Sequence, residues 1–219
     1  MPSETEYVPA LRFKWLTRYY DVVIAYSTRE KTFKRALINQ AGIESGMQVL
    51  DLASGTGTLA IWIKQQYPSA IVTGVDGDSD ILTLAASKAQ HANVDVTFDR
   101  ALSFDLPYSE NQFDRIVSSL FFHHLTWENK QATAAELYRI LKPGAHLHIA
   151  DWGRPANKIM RLLFLPVQIL DGFKNTQENA KGRLSEIFEK AGFEHVVQKQ
   201  SVNTILGTMV IYSAYKNKN

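Results

Sequence analysis

The 219-residue chain contains no cysteine. That absence removes disulfide frameworks, thiolate zinc sites, iron–sulfur clusters and cysteine nucleophiles. A charge excess is missing too. Lys and Arg number 24 against 22 Asp and Glu, a formal +2, whereas general nucleic-acid binders are strongly basic. No repeat, low-complexity tract or Gly/Ser linker divides the chain. No run approaches the roughly 18 apolar residues of a membrane span, and the first residues lack the basic and apolar regions of a secretory signal. The expectation is a soluble cytoplasmic protein with no nucleic-acid partner and no transmembrane segment.

What is present is a core-forming composition, 45% hydrophobic, at a length that suits one domain. The apolar run Val49–Ala53 is closed by Ser54-Gly55-Thr56-Gly57 and followed by the helical pattern Leu59-Ala60-Ile61-Trp62-Ile63. The alternation recurs as a strand at 70–76, a helix at about 81–90, strands at 94–98 and 113–119, a helix at about 126–141, a Pro143-Gly144 breaker and a strand at 145–150. Five strands alternating with helices predict a parallel sheet covered on both faces. After a helix ending at Gly192, strands at 195–205 and 208–215 are joined by Leu206-Gly207 and read as a hairpin. The predicted fold class is therefore α/β: a Rossmann-like doubly wound sheet of seven strands, mostly parallel, with a C-terminal antiparallel hairpin. Two regions stand outside this rhythm. Residues 1–46 read as a helical cap or lid, or alternatively as an extra packing layer, and residues 154–181 as a lid insertion in a main domain spanning 47–219. Between positions 11 and 35, seven basic residues face two acidic ones amid Phe13, Trp15, Tyr19, Tyr20 and Tyr26. Such a front suits an anionic acceptor, peripheral contact with a membrane, or a solvated helix face.

The pattern Gly55-x-Gly57-x-x-Ala60 falls between a strand and a helix. Its glycines let the backbone turn tightly and approach a ligand, and the helix N-terminus offers free amides. Asp76 closes the second strand, 21 residues after Gly55, where a carboxylate accepts hydrogen bonds from both ribose hydroxyls. Asp78, two residues on, is the better helix cap. Nicotinamide oxidoreductases and methyltransferases both use this arrangement.

The stretch Val49-Leu50-Asp51-Leu52-Ala53-Ser54-Gly55-Thr56-Gly57 resembles the first motif of class I S-adenosylmethionine (SAM)-dependent methyltransferases. Gly74-Val75-Asp76 resembles the second. Leu106-Pro107-Tyr108 with Gln112 to Val117, Ser118 to Leu125, and Leu137 to Gly144 resemble three later segments in the same order. The match is closest to the ubiquinone/menaquinone C-methyltransferase group. The resemblance implies SAM as cofactor and S-adenosylhomocysteine as product. It implies a cofactor site of Asp51, Ala53, Ser54, Gly55, Thr56, Gly57, Asp76, Gly77 and Ser118. Ala101 and Leu102 stand where relatives carry an acidic adenine reader, with Asp99 and Asp105 as alternatives. Ala53 replaces the first glycine of the broader pattern, which is tolerable if the strand is still extended there. Tyr20-Asp21 resembles a Tyr-Asp pair in the N-terminal helices of that group, implying that Tyr20 or Arg29 approaches the cofactor.

Methyl transfer needs alignment and exclusion of water more than acid–base chemistry. His123 and His124 are the imidazoles placed to act as a base; alternatively they start the next helix and pack. No metal-ligand pattern is present, since Cys and His-Glu-x-x-His are missing and His146 and His148 read as strand residues. The acceptor expected is a small, hydrophobic or aromatic molecule such as a quinone precursor, with a lipid headgroup second. The competing functions are an NAD(P)-dependent oxidoreductase, for which Tyr138-x-x-x-Lys142 has a suggestive spacing, and a SAM-binding module without catalysis.

Overall fold

In a computed structural model, residues 28–218 are described. The strands are β1 (Gln48–Leu52), β2 (Ile71–Asp76), β3 (Thr97–Arg100), β4 (Phe113–Ser119), β5 (Leu141–Trp152), β6 (Glu194–Thr204) and β7 (Gly207–Tyr215). They form one sheet in the order β3-β2-β1-β4-β5-β7-β6. The first five are parallel, and β7 runs antiparallel to both β5 and β6. The helices are α1 (Glu30–Ala41), α2 (Thr58–Gln66), α3 (Ser79–His91), α4 (Trp127–Ile140), α5 (Lys158–Leu163), α6 (Leu165–Asp171), α7 (Phe173–Ala180) and α8 (Leu184–Lys190).

The central strands are apolar on both faces because both are covered, whereas edge strand β6 is polar and mostly exposed; the period of two distributes the side chains. Leu50, Leu52, Ile116, Leu147 and Ile149 enter a core shared with Leu137 of α4 and Ile187 and Phe188 of α8. Val49, Val72, Val117 and Ala150 enter the opposite core with Phe33 and Leu37 of α1 and Leu59 and Ile63 of α2. Helix starts follow local chemistry. The Asp78 carboxylate accepts from the amides of Asp80 and Ile81 to cap α3, as expected, and Thr126 caps α4 through the Asn129 amide.

Three boundaries differ clearly from expectation, and the first is β3, which spans Thr97–Arg100 rather than 94–98. Pro143-Gly144 does not separate α4 from the fifth strand. β5 already begins at Leu141, which pairs with Phe113, and the next pair is Arg115 with His146, so residues 142–145 bulge out of the ladder. The hairpin turn is Ile205-Leu206, one residue earlier than predicted, with the Thr204 hydroxyl accepting from Leu206 N and donating to Gly207 O. Of the expected N-terminal cap, α1 packs as a layer against β4, β5 and β7. Residues 1–27, with Tyr20, lie outside the described residues. The insertion forms α5, α6 and α7 above the carboxyl ends of β4 and β5, where open α/β sheets bind ligands.

Candidate functional site

The carboxyl ends of β1, β2 and β3 form one half of this edge. Asp51 is the buried penultimate residue of β1, and its Oδ2 accepts from Ala60 N at 3.0 Å, fixing the start of α2 to the strand. Burial pushes the Asp51 carboxyl up to about 7, tempered by Lys34 and by the Ala60 amide. Asp76 sits opposite. Its Oδ2 accepts from Gly55 N at 2.9 Å and its Oδ1 from Asp78 N at 3.1 Å, so one carboxylate sets both the glycine loop and the entry to α3. Burial raises its pKa despite those amides. Gly57 opens α2 at φ 75°, and a Cβ there would meet the Phe98 ring at 2.8 Å. Thr56 and Thr58 are held through their hydroxyls by Lys88 of α3.

The remaining residues predicted for the cofactor lie in different settings. Ala101 N is tied to Asp76 O at 3.1 Å and Leu102 is 39% exposed, so the segment after β3 faces the same space as Asp76. Asp99 is engaged by the Tyr108 hydroxyl at 3.0 Å, and the Gly77 carbonyl accepts from Arg100. Ser118 is fully buried and donates to Leu52 O at 2.8 Å, so it bears on the loop by holding the end of β1. Ala53 departs from expectation: the strand has already ended, and its φ is 54°. Arg29 precedes α1, and its guanidinium donates to the Asn203 carbonyl near the end of β6.

The other half of the edge is polar and enclosed. After β4 the chain turns through Leu120, at φ 56°, into a single 3-10 turn, Phe122–His124. His123 is buried and its Nδ1 lies 2.7 Å from Asp151 Oδ1 in β5. Burial opposes ionisation of Asp151, but His123 and the Trp152 amide hold its pKa below the usual carboxylate range. His124 is pushed down to about 3 by burial and by His123. Asp171, the last residue of α6, faces both rings, at 3.6 Å from His123 Nε2 and 3.6 Å from His124 Nδ1. Burial raises its pKa. Asn179 of α7 donates to Trp152 O at 3.1 Å and reaches Asp151, while Asn175 donates to His124 O.

Asp151 and Asp171 are the residues that sequence reasoning missed. Asp151 ends the strand beside β4, a place that the strand count alone marks for inspection. Asp171 lies 47 residues beyond His124 and carries no local signal. The oxidoreductase pair is dispersed: Tyr138 packs edge-on against Phe193, and Lys142 is held 2.8 Å from Asp114. His146 and His148 lie on β5 as read, with His148 buried against Gln40.

Residues 49–144 match a family model described as a methyltransferase domain. The chain is 34% identical over 137 residues to a ubiquinone/menaquinone biosynthesis C-methyltransferase of Blochmanniella floridana, the match covering 61% of this chain and 53% of that protein. The chain therefore spans about half the length of that relative. A protein of the same name in Shewanella pealeana is 28% identical over 207 residues, covering 85% of this chain and 80% of its own. Among solved structures, an N-methyltransferase of Haemonchus contortus bound to phosphomonomethylethanolamine and S-adenosylhomocysteine superposes with a TM-score of 0.76 at 16% identity, over 96% of this chain and 61% of its own. That likeness concerns the fold.

Proposed function

We propose that this chain, which is similar over residues 49–144 to a methyltransferase domain and along much of its length to quinone C-methyltransferases, is a class I SAM-dependent methyltransferase that transfers a methyl group from SAM to a small hydrophobic or aromatic acceptor. The observation that carries this reading is the Asp76 carboxylate, half-buried and bound to the Gly55 amide at 2.9 Å at the mouth of a strand–glycine loop–helix unit. The residues fit the cofactor on two further counts. Ser54 Oγ is buried without a hydrogen-bond partner, and the missing Cβ of Gly55 faces space with nothing within 4 Å. A ligand that approaches the backbone and offers polar groups completes both.

When bound, SAM supplies a sulfonium-activated methyl group. Asp76 would hold the ribose hydroxyls, Asp51 would keep the loop set through Ala60, and Ala101 and Leu102 would lie against the adenine. Across the cleft, His124 presents a neutral imidazole. A group titrating at about 3 is a poor proton acceptor near neutral pH, so His124 serves to orient an acceptor hydroxyl more than to deprotonate it. The inserted helices would exclude water from the acceptor side. Their outer surface carries Ile159, Leu162, Ile169, Leu170 and Phe173, with Leu170 84% exposed. That surface favours an acceptor drawn from a membrane, by peripheral contact. Among the described residues no helix is long and apolar enough to cross one.

The test is transfer of labelled methyl from SAM in the presence of an extract separated into aromatic quinone precursors, lipids and water-soluble metabolites. The reading expects label in the aromatic fraction. Label in the water-soluble fraction alone would contradict the hydrophobic acceptor, and binding of SAM without label anywhere would favour a non-catalytic module.

A further inference from the structure

We propose that His123, His124 and Asp171 form a binding site for a divalent metal of borderline softness, zinc or a neighbour of it, on the acceptor side of the cleft. The lone pairs of these side chains point toward one another. Asp151 is a carboxylate and can only accept, so at 2.7 Å it takes the Nδ1 proton of His123 and leaves Nε2 as the nitrogen turned toward Asp171. His123 Nε2 to Asp171 Oδ2 and His124 Nδ1 to Asp171 Oδ1 are both 3.6 Å, longer than a hydrogen bond. The ligand atoms of the three residues all lie within 4.8 Å of one another. Electron-rich atoms thus converge where a positive centre is wanted.

Lys130, whose charge bears on His124, does not provide that centre. Lys130 is buried, and its Nζ is directed to the backbone carbonyls of Leu125 and Asn175. Two imidazoles and one carboxylate are the donor set of zinc, cobalt and nickel, whereas magnesium and calcium prefer all-oxygen shells. Metal bonds of about 2.0–2.2 Å set the donors of a tetrahedral site about 3.4 Å apart, close to the 3.6 Å that separates Asp171 from each histidine nitrogen. Asp151 is the outer partner that metal-bound histidines generally have, fixing the tautomer and the ring. Three protein ligands leave a coordination position open, and an oxygen of the acceptor can fill it. That use of the site rests on the methyltransferase reading; the binding does not.

The architecture adds a consequence. His123 and His124 belong to the turn after β4, and Asp171 to the inserted α6, so a bound ion fastens the insertion to the sheet edge. The test uses the full chain, stripped with a chelator and titrated with cobalt(II), whose visible absorption reports ligation. SAM binding is followed in parallel by calorimetry. The proposal expects one cobalt ion per chain, with affinity at least about tenfold weaker in both His124→Ala and Asp171→Ala, while both variants still bind SAM. Absence of cobalt binding, or binding that both variants retain in full, would overturn it. A chain that takes cobalt in this way but not SAM keeps the metal site and refutes the methyltransferase reading instead.

Discussion

Ala53 occupies a conformation that favours glycine, with a φ of 54° immediately after β1. A Cβ in the left-handed region costs about 1–2 kcal/mol, and the strain sits beside the glycine loop, where strained backbone tends to have a use. Ala53→Gly is expected to raise stability by about 1 kcal/mol in urea unfolding; an unchanged midpoint would remove the strain argument. The motif spacing marked position 53 but not its dihedral, because an apolar run does not show at which residue the strand lets go. Asp51 makes a second prediction. Its folded pKa of about 7 exceeds the ordinary aspartate value of 3.8, so the folded state binds this proton more tightly. The associated stability is present below about pH 4 and is lost as pH rises through about 7. Asp51→Asn keeps an oxygen for Ala60 N and cannot ionise. Relative to wild type, it should therefore be more stable at pH 8 than at pH 4, as thermal unfolding at the two values will show. A pH-independent difference would mean that the carboxyl does not titrate in this range.

Among the elements, the strand–loop–helix units and the terminal hairpin are legible because each is specified locally, by an apolar run, a glycine turn and a helical stripe. The insertion is not, because its docking is carried by polar residues far apart in sequence. Asn179, fully buried on α7, donates to Trp152 O and reaches Asp151. Asn179→Ala leaves that carbonyl without its donor and should cost about 1–3 kcal/mol. Amide exchange should accelerate across 158–180 and remain slow in β1 and β4. Equal acceleration throughout the sheet would show that the insertion is not a separable unit. The bulge at the start of β5 was hidden for a related reason: Pro143-Gly144 reads as a terminator, but here it is accommodated between the paired residues Leu141 and His146.

At the scale of the whole molecule, the sheet order places β1 between β2 and β4, so its loop lies at the switch point where the two halves of the fold diverge. One side gathers Asp51, Asp76 and the amides of the glycine loop. The other gathers His123, His124, Asp151 and Asp171 beneath an inserted cover. On the proposed reading these are a cofactor half and an acceptor half, and five ordered motifs made only the first visible in the sequence. The most direct measurement is calorimetric titration with SAM, NAD and NADP of the wild-type chain and of Asp76→Ala. Losing charge-assisted hydrogen bonds to a ribose costs about 1.5–3 kcal/mol. The account predicts that SAM alone binds the wild type and that Asp76→Ala binds it about 10- to 100-fold more weakly. Binding of a dinucleotide in place of SAM, or equal SAM affinity in the two proteins, would contradict it.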